Sequence, residues 1–194
     1  MERIKLVDKF FEGRDEVHKS LRRLVKRLDA ADIAYVVVGG MAVFAHGYRR
    51  TTNDVDILLT AAGFAEFRKR YVPRNYTAEA SRPQRLTDKT NQITVDVLLT
   101  GLFPGSGRAG PIAYPDPADV CERMHDVATV NLVTLVQLKL AARRFQDFAD
   151  VVHLIRANKL DESYLKRLHP SLHRDFIECL EEKRREDEYE ARNG

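Results

Sequence analysis

The chain has 194 residues, of which 44% are hydrophobic and 31% are charged, and this composition predicts one buried core with a helical extension. It contains no run of about 18 apolar residues, and residues 1–10, MERIKLVDKF, lack the apolar stretch of a secretory signal, so we expect no membrane partner. Cys121 and Cys179 lie far apart without CxxC spacing, which argues against a disulfide framework or a zinc site and favours a reducing, cytoplasmic location. The formal net charge of +3 permits a polyanionic partner without requiring one.

The first part of the chain predicts a helix, a buried strand and a glycine pair. Residues 12–31 carry valine and leucine at three- and four-residue intervals, which is typical of an amphipathic helix packed on a core. Residues 33–38 are an apolar strand that ends at Gly39 and Gly40. Glycine lets a ligand approach the main chain closely, and residues 41–46 begin a helix whose free amides favour an anion such as a triphosphate.

Two carboxylates lie in the next apolar run, DVDILL. Successive side chains of a strand alternate between its faces, so Asp54 and Asp56 project from one side while Val55 and Ile57 point into the core. Two like charges at this spacing repel each other unless a cation lies between them. Magnesium, a hard cation that prefers carboxylate oxygens and leaves positions open for phosphate, is the predicted ligand.

Residues 63–71 are predicted as a helix and residues 73–89 as a loop. Between positions 68 and 89 the acidic residues are only Glu79 and Asp88. The basic residues of this segment are Arg68, Lys69, Arg70, Arg74, Arg82, Arg85 and Lys89. Two interpretations are open, an electrostatic footprint for nucleic acid and a solvated loop and helix face.

Residues 91–100 alternate as a strand and place Asp96 among β-branched neighbours. A buried charge there is unfavourable without a partner, although a lone aspartate in a strand also occurs at an edge or a turn. If this strand lies beside DVDILL, then Asp54, Asp56 and Asp96 form one cluster of carboxylates.

Residues 101–117, GLFPGSGRAGPIAYPDP, are rich in glycine and proline and predict a loop. Their spacing does not fit a Walker phosphate loop, which ends in lysine followed by serine or threonine at a helix start. We interpret the segment as a flexible connector or a lid. A short helix over residues 118–124 and a strand over residues 127–130 are predicted to follow.

Residues 132–157 are predicted as the longest helix, and Asn131 is its predicted N-cap. One stripe of this helix is polar, because positions i, i+4, i+8 and i+11 fall within about 80° of each other. The stripe consists of Lys139, Arg143, Asp147 and Asp150. Either it is an exposed, salt-bridged face, or Lys139 faces a nucleotide phosphate while the acids orient it or the base. Residues 160–194 predict two helical pieces split at Pro170.

Together these residues resemble the nucleotidyltransferase superfamily, which includes DNA polymerase beta and the minimal nucleotidyltransferases. The pattern is a glycine pair, thirteen residues, D-V-D and a later strand aspartate, met by Gly39, Gly40, Asp54, Asp56 and Asp96. More narrowly, two motifs resemble the AbiEii-type toxins of bacterial toxin–antitoxin systems. R-x-T-x-D-h-D is met by Arg50, Thr52, Asp54 and Asp56, and K-x-x-A-x-R-x-x-D-x-x-D by Lys139, Ala142, Arg144, Asp147 and Asp150. Many superfamily members have Gly-Ser at the glycine pair, so Gly40 departs from that pattern.

The resemblance implies an α/β (α+β) fold, with a mixed β-sheet nucleotidyltransferase core flanked by helices and a C-terminal helical extension. We expect a catalytic core over residues 1–130 and a helical region packed on it over residues 131–194. The implied catalytic and metal-binding residues are Asp54, Asp56 and Asp96, which would hold two magnesium ions. The implied nucleotide-binding residues are Gly39, Gly40, Arg50, Thr52, Lys139, Asp147 and Asp150.

The implied activity is magnesium-dependent transfer of a nucleoside monophosphate from an NTP to a hydroxyl acceptor, with release of pyrophosphate. For a toxin-like member the acceptor would be tRNA or another RNA, and an antitoxin protein would be a partner. Two alternatives stay open: an antibiotic-modifying nucleotidyltransferase, and a non-catalytic member that binds a nucleotide or a partner protein. The three acidic residues favour an enzyme, because a binding module has no reason to keep clustered like charges.

Overall fold

A computed structural model describes residues 12–124 and 126–193 of the chain. Its centre is a mixed seven-stranded sheet in the order β3-β4-β5-β2-β1-β7-β6. The strands are β1 Tyr35–Val37, β2 Asp54–Leu59, β3 Tyr76–Ala78, β4 Arg85–Asp88, β5 Thr94–Leu99, β6 Cys121–Met124 and β7 Val127–Val130. The helices are α1 Glu16–Ala30, α2 Gly39–Ala45, α3 Ala61–Tyr71, α4 Pro117–Val120, α5 Leu132–Ala142, α6 Phe145–Asn158 and α7 His173–Asn193, with 3-10 turns at Glu162–Arg167 and Pro170–Leu172.

The inner strands of the sheet position the acidic residues. Strand β2 lies between β1, to which it is antiparallel, and β5, to which it is parallel. Val55 and Ile57 are fully buried, as their alternation predicts, and they fix which face of β2 turns outward. The predicted α/β architecture, a mixed sheet flanked by helices and followed by C-terminal helices, is confirmed.

The prediction of a continuous loop over residues 73–89 was wrong. Strands β3 and β4 lie in this segment and extend the sheet beyond β5. Asp88 ends β4 and is fully buried, where it accepts hydrogen bonds from Ser20 Oγ at 2.8 Å and Arg23 Nη2 at 2.8 Å. The partners of this buried aspartate come from a helix about seventy positions earlier in the sequence. No pattern within residues 73–89 therefore indicates that Asp88 is buried.

The prediction of a short helix over residues 118–124 was also wrong for the second half of that segment. Helix α4 ends at Val120, and β6 begins with Cys121 and pairs antiparallel with β7. The strand predicted over residues 127–130 is confirmed as β7.

The single long helix predicted over residues 132–157 is two helices. Asn131 caps α5 as predicted, since its Oδ1 accepts a hydrogen bond from the amide of Thr134 at 2.9 Å. The helix then stops at Arg143, which has a left-handed φ of 57°, and Arg144 is extended before α6 begins. Helix α7, with 21 residues, is the longest helix of the part that the structure describes.

The helices of residues 12–124 and 126–193 include none that is both long enough and apolar enough to cross a membrane.

Candidate active site

Three carboxylates meet on one face of the sheet. Asp54 and Asp56 project from the same side of β2, and the β2–β5 register places Asp96 directly beside Asp56. One oxygen from each of the three lies within 4.8 Å of the others. The predicted cluster therefore forms. The alternative of an edge position for Asp96 was wrong, because β5 is flanked by β4 and β2.

Burial and mutual repulsion both act against the ionised form of this cluster. Burial, together with the charges of Asp54 and Asp96, raises the pKa of Asp56 to about 6. Lys139 and the backbone amide of Gly40 oppose that rise without cancelling it. Burial also raises the pKa of Asp96. Three hard oxygen donors that repel one another fit a divalent cation such as magnesium.

The glycine pair packs against the acidic cluster. Gly39 has a φ of +58°, and a Cβ at this position would lie 1.8 Å from Asp56 Oδ2. A Cβ on Gly40 would lie 2.8 Å from Thr52 Oγ1 and 3.2 Å from Arg50 Nη2. Because α2 begins at Gly39, two residues before its predicted start, both glycines lie within its first turn. The pair is thus required for the close approach of β2, whether or not a nucleotide also contacts it.

We expect Gly39→Ala to displace the Asp56 carboxylate and abolish any magnesium-dependent rise in the melting temperature. It should also lower the free energy of unfolding by about 1–2 kcal/mol or more, because a side chain at positive φ is strained. Gly107→Ala is the matched control, since Gly107 also has a positive φ, +74°, but nothing lies within 4 Å of its Cβ position. Equal thermal melts of the two variants, with and without magnesium, would contradict the close packing of Gly39 on Asp56.

Thr52 and Arg50 link the loop before β2 to both halves of the site. Thr52 Oγ1 donates a hydrogen bond to Asp54 Oδ1 at 2.7 Å. Arg50 reaches the C-terminal helices, where its Nη2 donates to Asp150 Oδ2 at 3.0 Å. The loop therefore orients a carboxylate of the cluster and joins β2 to α6.

Lys139 lies at the centre of a buried ion-pair network. Its Nζ contacts Asp150 Oδ2 at 2.6 Å and Asp147 Oδ1 at 3.0 Å. Arg144 Nε contacts Asp147 Oδ2 at 2.6 Å, and Arg50 Nε contacts Asp150 Oδ1 at 2.7 Å. The side chain of Lys139 is only 7% exposed, and both aspartates are buried. The alternative of an exposed salt-bridged stripe was therefore wrong for these three residues.

The break between α5 and α6 explains which residues join this network. On a continuous helix Arg143 would share the face of Lys139, but its left-handed backbone turns the side chain away. Arg143 Nη1 instead contacts Asp175 Oδ2 of α7 at 2.5 Å. Arg144, which follows the break, takes the place near Asp147.

The charges in the network support one another. Burial alone would raise the pKa of Asp150, but Lys139 and Arg50 hold it below its ordinary value. Three cations, Lys139, Arg50 and Arg144, face two carboxylates, so the network keeps one net positive charge beside the acidic cluster.

A cleft of about 490 Å³ opens above the acidic cluster. One wall comes from α5 and the start of α6, and the opposite wall from the turn between β3 and β4. The polar and aromatic lining residues are Asp56, Asp96, Ser81, Arg82, Gln84, Arg85, Tyr114, Lys139, Arg144 and Asp147. Arg82 and Arg85 thus separate from the rest of the predicted basic segment, in which Arg70 pairs with Glu66 on α3.

Residues 101–116 form an anchored loop beside the cleft. The amide of Gly101 donates to the carbonyl of Tyr114 at 2.9 Å, and the amide of Tyr114 donates to that of Leu102 at 2.8 Å. Gly105 packs so closely on α5 that its Cβ would lie 2.5 Å from the carbonyl oxygen of Ala142. Tyr114 lines the cleft, where burial and the Asp56 charge raise its pKa to about 12. The loop is therefore a fixed part of the wall at these points, and sequence reasoning did not identify Tyr114.

No protein-family model and no curated protein sequence matches the chain. Solved structures are similar at low identity. A candidate nucleotidyltransferase from H. pylori shares 15% identity over 85% of this chain and 76% of its own, with a TM-score of 0.47. JHP933 from Helicobacter pylori shares 16% identity over 91% of this chain and 95% of its own, with a TM-score of 0.41. The antibiotic-resistance factor ANT(2'')-Ia shares 9% identity over 90% of this chain and 96% of its own, with a TM-score of 0.46. The functional proposal rests on the geometry of the site and not on these similarities.

Proposed function

We propose that the chain is a metal-dependent nucleotidyltransferase of the DNA polymerase beta-like superfamily and that it is of the AbiEii toxin type. The observation that carries the proposal is the meeting of Asp54, Asp56 and Asp96 within 4.8 Å at the base of a cleft that also contains Lys139. Structural ion pairs alone do not account for three neighbouring acids, two of which, Asp56 and Asp96, have a raised pKa.

Each residue has a distinct part in this reaction. Asp54, Asp56 and Asp96 would hold the magnesium, which supplies Lewis-acid polarisation of the phosphoryl group when bound. Lys139 and Arg144 lie on the wall formed by α5 and the start of α6, where they would balance the triphosphate charge. Asp147 forms ion pairs with both and fixes them in place. Arg50 and Thr52 support the nucleotide side by holding Asp150 and Asp54.

The chemical step is an in-line displacement at the α-phosphorus of the NTP. The acceptor oxygen forms the new bond to phosphorus, the bond to the bridging oxygen breaks, and pyrophosphate leaves with the electron pair. Asp96 lines the cleft next to the β3–β4 turn, and we propose that it takes the proton of the acceptor hydroxyl.

The acceptor that we propose is the hydroxyl of an RNA, tRNA in particular, and the biological role is that of a toxin neutralised by an antitoxin protein. The test is incubation of the protein with each radiolabelled NTP, magnesium and total tRNA, beside the Asp54→Ala variant, with the RNA resolved on a gel. We expect label on RNA from the wild type and at least a 100-fold loss in the variant.

Asp54→Ala is an informative control because it should leave the fold intact. Removing one of three mutually repelling carboxylates relieves strain, so the thermal midpoint should stay near that of the wild type. A large loss of stability would count against a metal-binding role for Asp54. Wild-type protein that neither labels RNA nor binds an NTP in the presence of magnesium would favour a non-catalytic role.

A further inference from the structure

We propose that Arg82 and Arg85 form a binding site for a phosphodiester of the acceptor, so that the enzyme takes an RNA end and rejects a polycationic amino sugar. The inference rests on the proposed function and assigns the residues that would bind its RNA acceptor. Three observations support it: the position of the two guanidinium groups, their lack of a hydrogen-bonded acid, and the contrast with the wall formed by α5 and α6.

The two arginines lie next to the acidic cluster on a turn with defined geometry. Arg85 begins β4 and is the direct neighbour of Asp96 in the sheet register. The amide of Arg82 donates to the carbonyl of Glu79 at 3.2 Å, and the amide of Arg85 donates to that of Arg82 at 2.8 Å. The carbonyl of Gln84 accepts from the amide of Val97 on β5 at 2.9 Å. The turn is therefore fixed to the strand that carries Asp96, and both arginines line the cleft.

The guanidinium groups of this wall have few close partners. Arg85 Nε lies 3.8 Å from Asp96 Oδ1 and 3.9 Å from Glu79 Oε2, which is beyond hydrogen-bond distance, and its side chain is 39% exposed. Arg82 is exposed and forms no ion pair within 4.0 Å to any residue of 12–124 or 126–193. Their donors are thus available to a ligand.

The wall formed by α5 and α6 differs, because its cations already form close ion pairs with buried aspartates. Lys139, Arg144 and Arg50 each contact Asp147 or Asp150 at 3.0 Å or less. Guanidinium donors without a hydrogen-bonded acid therefore lie on the Asp96 side of the cleft, where the proposed acceptor hydroxyl would approach.

Guanidinium groups recognise phosphate by paired hydrogen bonds, and two of them fit successive phosphodiester oxygens of a chain. A polycationic amino sugar carries no anionic oxygen for these guanidinium donors, and it is repelled by Arg82, which has no acid within 4.0 Å among residues 12–124 and 126–193; it is therefore disfavoured as an acceptor. An RNA end that places its last phosphodiester at Arg82 and Arg85 would bring its terminal hydroxyl toward Asp96.

The test compares the wild type with Arg82→Ala, Arg85→Ala and the double variant, using a short RNA oligonucleotide and an aminoglycoside as acceptors. We expect the double variant to raise the KM for RNA at least tenfold while the KM for NTP stays within about twofold. Arg82→Lys and Arg85→Lys should recover part of the loss, because they keep the charge but not the paired donors. Arg74→Ala is the matched control, since Arg74 is an exposed arginine of the same basic segment that does not line the cleft.

RNA binding by the protein alone separates this site from catalysis. In a salt series the slope of log K against log salt should become less negative by about 0.7 for each phosphate contact that a variant loses. An unchanged slope and affinity in the double variant would overturn the acceptor site, as would a rise in the KM for NTP instead of RNA or efficient labelling of the aminoglycoside. Wild-type protein that binds RNA through these arginines but transfers no nucleotide would support the site and contradict the proposed function.

Discussion

Replacing Lys139 with methionine should lower the free energy of unfolding by about 3–5 kcal/mol, the usual effect of removing one partner from a buried ion pair. The reason is that Asp147 and Asp150 are both almost fully buried and share this ammonium group. Arg144 and Arg50 would still contact them but could not replace the central charge. Urea unfolding at neutral pH measures the loss.

A matched control is Lys19→Met, because Lys19 makes an equally short contact with Glu16, at 2.6 Å, with both side chains about half exposed. Exposed pairs contribute at most about 1 kcal/mol, so this variant should unfold close to the wild type. The folded-state pKa of Asp150 is depressed, and its pairing therefore stabilises the protein above the unfolded pKa and loses that effect as pH falls. The difference between Lys139→Met and the wild type should accordingly shrink below about pH 4. Equal losses from both lysine variants would contradict a buried network.

Asp56→Asn should stabilise the metal-free protein at pH 7.5 while abolishing activity. The folded-state pKa of Asp56 is about 6 against an ordinary 3.8, so the folded protein binds the proton more tightly than the unfolded chain does. Ionising Asp56 therefore destabilises the fold progressively from about pH 4 to pH 6, and the full effect, about 3 kcal/mol at most, persists at higher pH. The variant removes this destabilisation. Chemical unfolding at several pH values, in the presence of a chelator, measures the resulting difference in the free energy of unfolding.

Magnesium should reverse the order of these two proteins. A ligand that binds only the folded state stabilises it, so the wild type should gain melting temperature with added magnesium while Asp56→Asn gains little. Nucleotidyl transfer by the variant should fall at least 100-fold. Asp119→Asn, at an exposed position outside the cluster, should change neither stability nor the magnesium response. A wild type that is more stable than Asp56→Asn in chelator would contradict a carboxylate that is destabilised by burial and by the charges of Asp54 and Asp96.

The acidic cluster could be predicted from the sequence because it depends on local patterns. Alternation along DVDILL fixes Asp54 and Asp56 on one face, and the similar alternation around Asp96 predicts a neighbouring strand. The helix break at Arg143 could not be predicted, since the segment contains neither glycine nor proline and a left-handed arginine there depends on tertiary packing. Lys139, Asp147 and Asp150 still meet, but through a kinked pair of helices.

The second wall of the cleft was less accessible to sequence reasoning. Strand β4 carries Arg85 and ends in Asp88. The buried carboxylate of Asp88 accepts its hydrogen bonds from Ser20 and Arg23, which lie on a helix far away in the sequence. Tyr114 reaches the cleft from a glycine- and proline-rich loop that gives no periodic signal. Both features need the three-dimensional contacts of the sheet, and no spacing within one segment indicates them.

The contact between Gly40 and Thr52 limits how relatives of this chain can diverge. A serine at position 40, the residue that many members of the superfamily have there, would bring a Cβ within 2.8 Å of Thr52 Oγ1 and 2.9 Å of Thr52 Cβ. Serine at position 40 therefore requires a smaller or displaced residue at position 52. Among homologous sequences these two positions should covary, with glycine at position 40 paired to threonine at position 52 and serine at position 40 paired to glycine, since alanine would keep the clashing Cβ.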